Sequence, residues 1–276
     1  MSRLLIFGPG YTARHVAAAL APRGWSITMV GRDGIGDAGA AIAAATHILS
    51  TVPPDGDADP VLARHGDALA QAPAGWIGYL SSTGVYGDSG GGWVDESAPT
   101  GGGRRTARSA ADAAWRALHA ETRIFRLPGI YGPGRSALDR VAAGQAHRIA
   151  LPGQIFSRIH VADIASALVA SMDRGPAGIY NIADDLPAPQ NAVVEYACAL
   201  LGRPLPPLLT LDQAGLSPAA RAFYAESRRV ANGKAKRLLG WRPAFPDYRA
   251  GLRALSAITS PASVSSPPAT GSALQR

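Results

Sequence analysis

Lysine is almost missing from this chain: among its 27 basic residues only Lys234 and Lys236 are lysines. Cysteine is rarer still. The one cysteine, Cys198, sits in the apolar run 193–200, which excludes an internal disulfide framework and reads as a buried core thiol in a reducing compartment. The first eight residues form a short apolar segment that turns at glycine, too short for a signal core or a bilayer span, so a cytoplasmic protein with no membrane partner is expected. The six histidines and the cysteine show no ligand spacing, so no metal site is expected. The formal net charge of +7 comes almost wholly from arginine, scattered without blocks or interleaved aromatics, and no nucleic-acid partner is expected from it.

What is present is enough apolar material, 47% of 276 residues, for one large α/β domain with a small appendage. Short apolar runs alternate with helical patterns through the first half, the signature of a parallel sheet covered by helices. Strands are predicted at Leu4–Phe7, Trp25–Gly31, Thr46–Val52, Trp76–Leu80 and Arg123–Leu127, with helices at Thr12–Leu20, about 59–71 and about 105–119. Only fourteen residues, 32–45, separate the second strand from the third. That holds one crossover helix and little else, so a strand is expected to be missing and the adenine end of any cofactor pocket to be open.

Farther on, the pattern predicts a helical region at Ile159–Met172, a strand at Gly178–Ile182, and helices at Ala192–Leu201 and Ala231–Leu239, with the proline-rich stretch 203–207 between the last two. The fold expected is α/β, a Rossmann-like doubly wound parallel sheet with a small C-terminal substrate lobe. Residues 1–175 would form the dinucleotide-binding domain and 176–257 the lobe, interleaved as one structural unit. Residues 258–276 have the composition of a disordered tail.

Gly8-Pro9-Gly10-Tyr11-Thr12-Ala13 follows a strand and opens a helix, the context that lifts a G-x-G-x-x-G/A match above chance. Gly8 allows the tight turn, Gly10 lets backbone amides approach a pyrophosphate, and Ala13 permits close helix-to-strand packing. The second strand ends in Val30-Gly31-Arg32-Asp33. Arg32 there favours a ribose 2′-phosphate and hence NADP, while the adjacent Asp33 keeps NAD open. Arg14 is a second phosphate contact or a solvated surface arginine.

Further segments stand in order: Ser81-Ser82-Thr83-Gly84-Val85-Tyr86-Gly87, then 126–134 (RLPGIYGPG), then 158–165 (RIHVADIA), then Tyr180-Asn181-Ile182. With the glycine motif, these make the chain resemble the extended short-chain dehydrogenase/reductases, the NAD(P)-dependent epimerase/dehydratase family, over about residues 2–256. The resemblance implies an oxidoreductase or epimerase-like enzyme acting on a small, hydroxyl- or carbonyl-bearing substrate. It places Ser82 at the family's catalytic hydroxyl with Thr83 beside it, Thr51 against the cofactor, and Pro128 and Ile130 beside the nicotinamide.

The family's Tyr-xxx-Lys pair, which supplies the proton and lowers the tyrosine pKa, has no counterpart, because no tyrosine here has a lysine four residues on. The register taken from Arg108-Ser109 puts Thr106 and Ala110 at those positions, so the resemblance is to atypical members. Tyr86, on the serine loop, is the candidate substitute phenol or a packing residue. Arg104, Arg105 and Arg108 could replace the lost charge. Segment 221–232, rich in arginine and carrying Tyr224, would suit an anionic substrate or form a solvated face. His160 and Asp163 read as structural, with Asp163 capping a helix, and Asp95-Glu96 as loop residues near the mouth. The rival to an enzyme is an NADP-binding sensor that catalyses nothing. The expected partner is a small-molecule substrate, with a homodimer left open.

Overall fold

The computed structural model describes residues 1–103 and 106–259. The first half runs β1 (Arg3–Phe7), α1 (Tyr11–Leu20), β2 (Ser26–Val30), α2 (Gly39–Ala44), β3 (His47–Ser50), α3 (Pro60–Ala70) and β4 (Trp76–Ser82). It continues with β5 (Trp93–Val94), α4 (Thr106–Leu118), β6 (Thr122–Leu127), β7 (Gly129–Tyr131) and α5 (Ala137–Ala142). Then come β8 (Arg148–Ile149), β9 (Arg158–His160), α6 (Val161–Asp173), β10 (Gly178–Asn181) and α7 (Gln190–Leu201). The chain closes with β11 (Leu208–Leu209), α8 (Pro218–Phe223), β12 (Arg229–Val230), α9 (Gly233–Leu239) and α10 (Tyr248–Thr259).

Six strands form one parallel sheet in the order β2-β1-β3-β4-β6-β10. Successive side chains of a strand point to opposite faces, and β1 shows the consequence: Leu4 and Ile6 enter one core with Val16, Trp76, Ile164 and Leu168, whereas Leu5 and Phe7 enter the other with Ile48, Tyr79 and Trp115. Both faces are covered, which is why the strands read as continuous apolar runs. The doubly wound sheet expected from the sequence is therefore present.

The short interval after β2 is filled by a 3-10 turn, Arg32–Asp37, and by α2. No described strand lies beyond β2, which forms the edge of the sheet, as the residue count required. At the opposite edge stands β10, a segment the sequence placed in the C-terminal lobe. A separate apolar cluster forms where α5, α7 and α10 meet around Leu138, Val194, Cys198 and Leu252.

Several short elements were not foreseen. The predicted helical region at Ile159–Met172 begins as β9, which pairs with β7, and the helix expected from Ala231 starts at Gly233 after β12. Strand β12 pairs with β5, setting Arg229 opposite Trp93 and drawing the chain before it over the mouth of the sheet. Helix α10 runs through Thr259, so the tail expected from 258 begins inside it, and residues 260–276 lie outside the described residues. No helix among the described residues is long and apolar enough to cross a membrane.

Candidate active site

The glycine turn is built as its sequence requires. Gly8 has φ +86°, a region L side chains rarely adopt, and an added Cβ would stand 2.9 Å from Thr51 Oγ1 and 3.0 Å from Val52 Cγ2. Its amide donates to Val30 O at 2.9 Å, and its carbonyl accepts from Thr51 Oγ1 at 2.7 Å. Gly10 is the N-cap of α1 with no side-chain cap. A Cβ added there would meet nothing within 4 Å, so the first-turn amides face open space, where an anionic group is stabilised by the helix dipole. Ala13 is fully buried beneath them.

One cleft of about 480 Å³ collects residues from distant parts of the chain: Gly10, Tyr11 and Thr12 from the first turn, Thr51 after β3, Ser82 at the end of β4 with Thr83 following, and Pro128 and Ile130 after β6. Gly8 supports this cleft from behind without lining it. Arg32 and Asp33 are exposed on the turn after β2, outside the enclosed part. Arg14 is exposed and donates from Nε to Pro9 O at 3.1 Å.

The two serines at the end of β4 have separate duties. Ser81 is buried and donates its hydroxyl to Asp112 Oδ2 at 2.5 Å. Arg126 holds the same carboxylate through two bonds, Nε at 3.0 Å and Nη2 at 2.8 Å. Both serines border the cleft, but the Ser82 hydroxyl is not tied to that carboxylate, and its oxygen accepts the Gly84 amide at 3.1 Å. That leaves the Ser82 proton without an acceptor among the described residues.

Tyr86 does not reach the cleft. Its ring lies under the Arg126 guanidinium, 4.9 Å to the centroid, and its hydroxyl donates to Asn181 Oδ1 at 2.7 Å. Burial pushes the phenol pKa up. Glu96, grouped above with the mouth loop, turns inward and accepts the Asn181 amide at 2.8 Å, and burial raises its pKa too. Asp95 stays exposed, binding Ser97. Tyr224 lines a neighbouring cavity, its hydroxyl 3.3 Å from His147 Nε2. The one phenol among the cleft-lining residues is Tyr11, whose hydroxyl donates to Pro133 O at 3.1 Å.

The register of α4 also differs from that read in the sequence. Trp115 stacks on Tyr79 of β4 at 5.2 Å and donates to Asp59 Oδ2 at 2.8 Å, which fixes the helix's inner face. Counting back by helical spacing, that face carries Asp112, Ala111 and Arg108. Arg108 lines the cleft, while Thr106 and Ala110 are exposed. Arg104 and Arg105 lie outside the described residues.

Arg135, Glu226 and Arg228 also line the cleft, and neither Arg135 nor its role was singled out in the sequence. Arg228 pairs with Glu226 at 2.8 Å, both largely buried. The structural reading of His160 and Asp163 stands with one correction. The helix cap is His160, whose Nδ1 accepts the Ala162 amide at 3.2 Å, while Asp163 accepts the amides of Ala244 and Phe245 at 2.7 and 3.1 Å. Burial lowers the His160 pKa to about 4. Cys198 is buried, its thiol pKa raised by that burial.

No family model matches the chain. A curated protein, the 3-diazoavenalumate denitrifying reductase of a Streptomyces species, is 32% identical over 143 residues, covering 47% of this chain and 45% of that protein. The match thus spans less than half of the relative. Among solved structures, the human epimerase family protein SDR39U1 (isoform 2), determined with NADPH, is 18% identical over 92% of this chain and 99% of its own, with a TM-score of 0.72. MoeE5, determined with UDP-glucuronic acid and NAD, is 19% identical over 94% and 99%, with a TM-score of 0.75. Both likenesses establish a shared fold. A functionally unknown conserved protein from Silicibacter pomeroyi DSS is 44% identical over 94% of this chain and 99% of its own, with a TM-score of 0.85. On that identity and coverage, the chain belongs to the family of the Silicibacter pomeroyi conserved protein.

Proposed function

We propose that the protein is an NAD(P)-dependent oxidoreductase of the epimerase/dehydratase type, with NADP as the favoured cofactor, acting on a small carbonyl or hydroxyl substrate. The observation that carries this reading is the convergence of Gly10, Thr51, Ser82, Pro128 and Ile130, from five separate segments, on one cleft. The open space above Gly10 and the uncapped first turn of α1 suit a pyrophosphate. Structural neighbours bound to NADPH or NAD add support, as does the reductase activity named for the Streptomyces relative.

When bound, the nicotinamide would supply or accept the hydride, and the protein would orient it. Ser82 is suited to polarise the substrate oxygen, because its own oxygen is occupied by the Gly84 amide and its proton is left to donate. Arg108 stands at the cleft on the helix where the family carries its Tyr-Lys pair. A guanidinium supplies fixed positive charge but no transferable proton near neutral pH, so proton delivery falls to another group at the cleft or to water.

The missing Tyr-Lys pair favours a second reading, a sensor that binds NADP without turnover. Titration with NADPH and NADH, followed by a carbonyl-reduction panel on native protein and Ser82→Ala, separates the two. The enzyme reading expects turnover that falls about 100-fold on losing the donor hydroxyl. NADPH binding with no turnover on any carbonyl would establish the sensor, and turnover indifferent to Ser82→Ala would remove Ser82 from the chemistry.

A further inference from the structure

Beside the cleft lies a second cavity of about 370 Å³, and Ile130, Arg135, Phe156 and Phe223 line both. The two spaces therefore adjoin across these shared walls. The inner cavity has a distinct chemistry. Its walls carry Arg135, Arg140 and Arg158, and no aspartate or glutamate is among the described lining residues.

The three arginines differ in how they are committed. Arg158 is buried and spends its guanidinium on Phe156 O, Ala188 O and Gln190 Oε1, at 2.8–2.9 Å. It shapes the wall and adds charge. The Arg140 guanidinium makes no hydrogen bond or ion pair with another described residue, and it borders this cavity and not the outer cleft. Arg140, itself exposed, can therefore receive an anion at the rim of this cavity.

The rest of the wall is aromatic. Phe156 and Phe223 stack with centroids 4.1 Å apart and planes 15° from parallel, and Tyr224 meets Phe156 edge-on at 5.9 Å. Phe223 remains 44% exposed despite the stack, so part of its ring is free to cover a second ring. The volume is near the lower end of the roughly 300–1,000 Å³ typical of ligand pockets. It suits one ring with a short acidic chain, and is too small for a nucleoside diphosphate sugar.

We infer that this cavity binds an aromatic carboxylate, its ring against Phe223 and Phe156 and its carboxylate on Arg140. That this ligand is the substrate rests on the oxidoreductase reading; that it binds does not. Calorimetric titration of the full chain with trans-cinnamate, with neutral cinnamamide of the same shape, and separately with NADPH tests both points. Cinnamate is expected to bind at least about tenfold more tightly than cinnamamide. Arg140→Gln should lower cinnamate affinity about tenfold and leave NADPH affinity unchanged, with Arg140→Lys recovering part of the loss. Phe223→Ala should weaken both ring compounds.

Absence of cinnamate binding, equal affinity for cinnamamide, or indifference to Arg140→Gln would each overturn the inference. So would Arg140-dependent binding of UDP in place of cinnamate. Arg140-dependent cinnamate binding by a protein that fails to bind NADPH would uphold the aromatic carboxylate site and refute the oxidoreductase reading instead.

Discussion

Arg126 of β6 grips both carboxylate oxygens of Asp112 on α4, at 2.8 and 3.0 Å, where the two side chains are only 3% and 5% exposed. Ser81 completes the site by donating to the same carboxylate. This buried link fastens α4 to the strand ends beside the cleft and aims Arg108, one turn earlier, into it. Removing one partner of a buried pair strands the other charge without compensation.

Asp112→Ala should therefore lose about 3–5 kcal/mol of unfolding free energy in a denaturant titration at neutral pH. A loss below about 1 kcal/mol would show that the link is not structural. Ser81→Ala, which leaves the ion pair intact, should cost about 1 kcal/mol.

The two glycines of the first turn make opposite predictions. Gly8→Ala places a side chain at positive φ and against Thr51 Oγ1, so it should lower the melting temperature along with NADPH affinity. Gly10 has extended backbone, φ −79° and ψ −169°, and open space ahead of it. Gly10→Val should keep the melting temperature near native and abolish NADPH binding. Undiminished NADPH binding by Gly10→Val would show that no phosphate sits on α1.

Arg32 stands exposed on the turn after the edge strand β2. Arg32→Ala should weaken NADPH about tenfold by loss of a charge-assisted contact, with little effect on NADH. Equal losses for the two cofactors would end the assignment to NADP.

His160 sets a pH dependence. Its folded pKa is about 4, lowered by burial, against about 6.5 in an unfolded chain. Between these values the unfolded chain takes up a proton that the folded protein refuses. The contribution of His160 to stability is thus present above pH 6.5 and is lost as pH falls towards 4, with a slope of at most about 1.4 kcal/mol per pH unit. Unfolding free energies of the native protein and His160→Asn, measured across that window, should converge as pH falls. A constant difference would mean that His160 is protonated in the fold.

Local features were legible before the fold was known. The glycine turn reads directly because strand, turn and helix are contiguous, and the missing strand follows from counting residues 32–45 against the length of a strand and its crossover. The C-terminal pairings were not legible, since β5, β8, β11 and β12 are two residues long and too short to leave a periodic pattern.

The sequence by itself determined a parallel α/β sheet with a glycine turn at the head of its first helix, and the absence of any Tyr-xxx-Lys pair. Both depend on residue type and near-neighbour spacing. Only the tertiary structure decided which hydroxyl, which arginine and which phenol face the cleft. Ser81 turns to Asp112 while Ser82 turns outward, because successive strand residues point to opposite faces and α4 covers one of them. Arg108 replaces Thr106 and Ala110 at the cleft because the Trp115–Tyr79 stack sets the rotation of α4. Tyr86 is withdrawn to Asn181, a partner ninety-five residues away, and a contact of that range leaves no trace in local spacing.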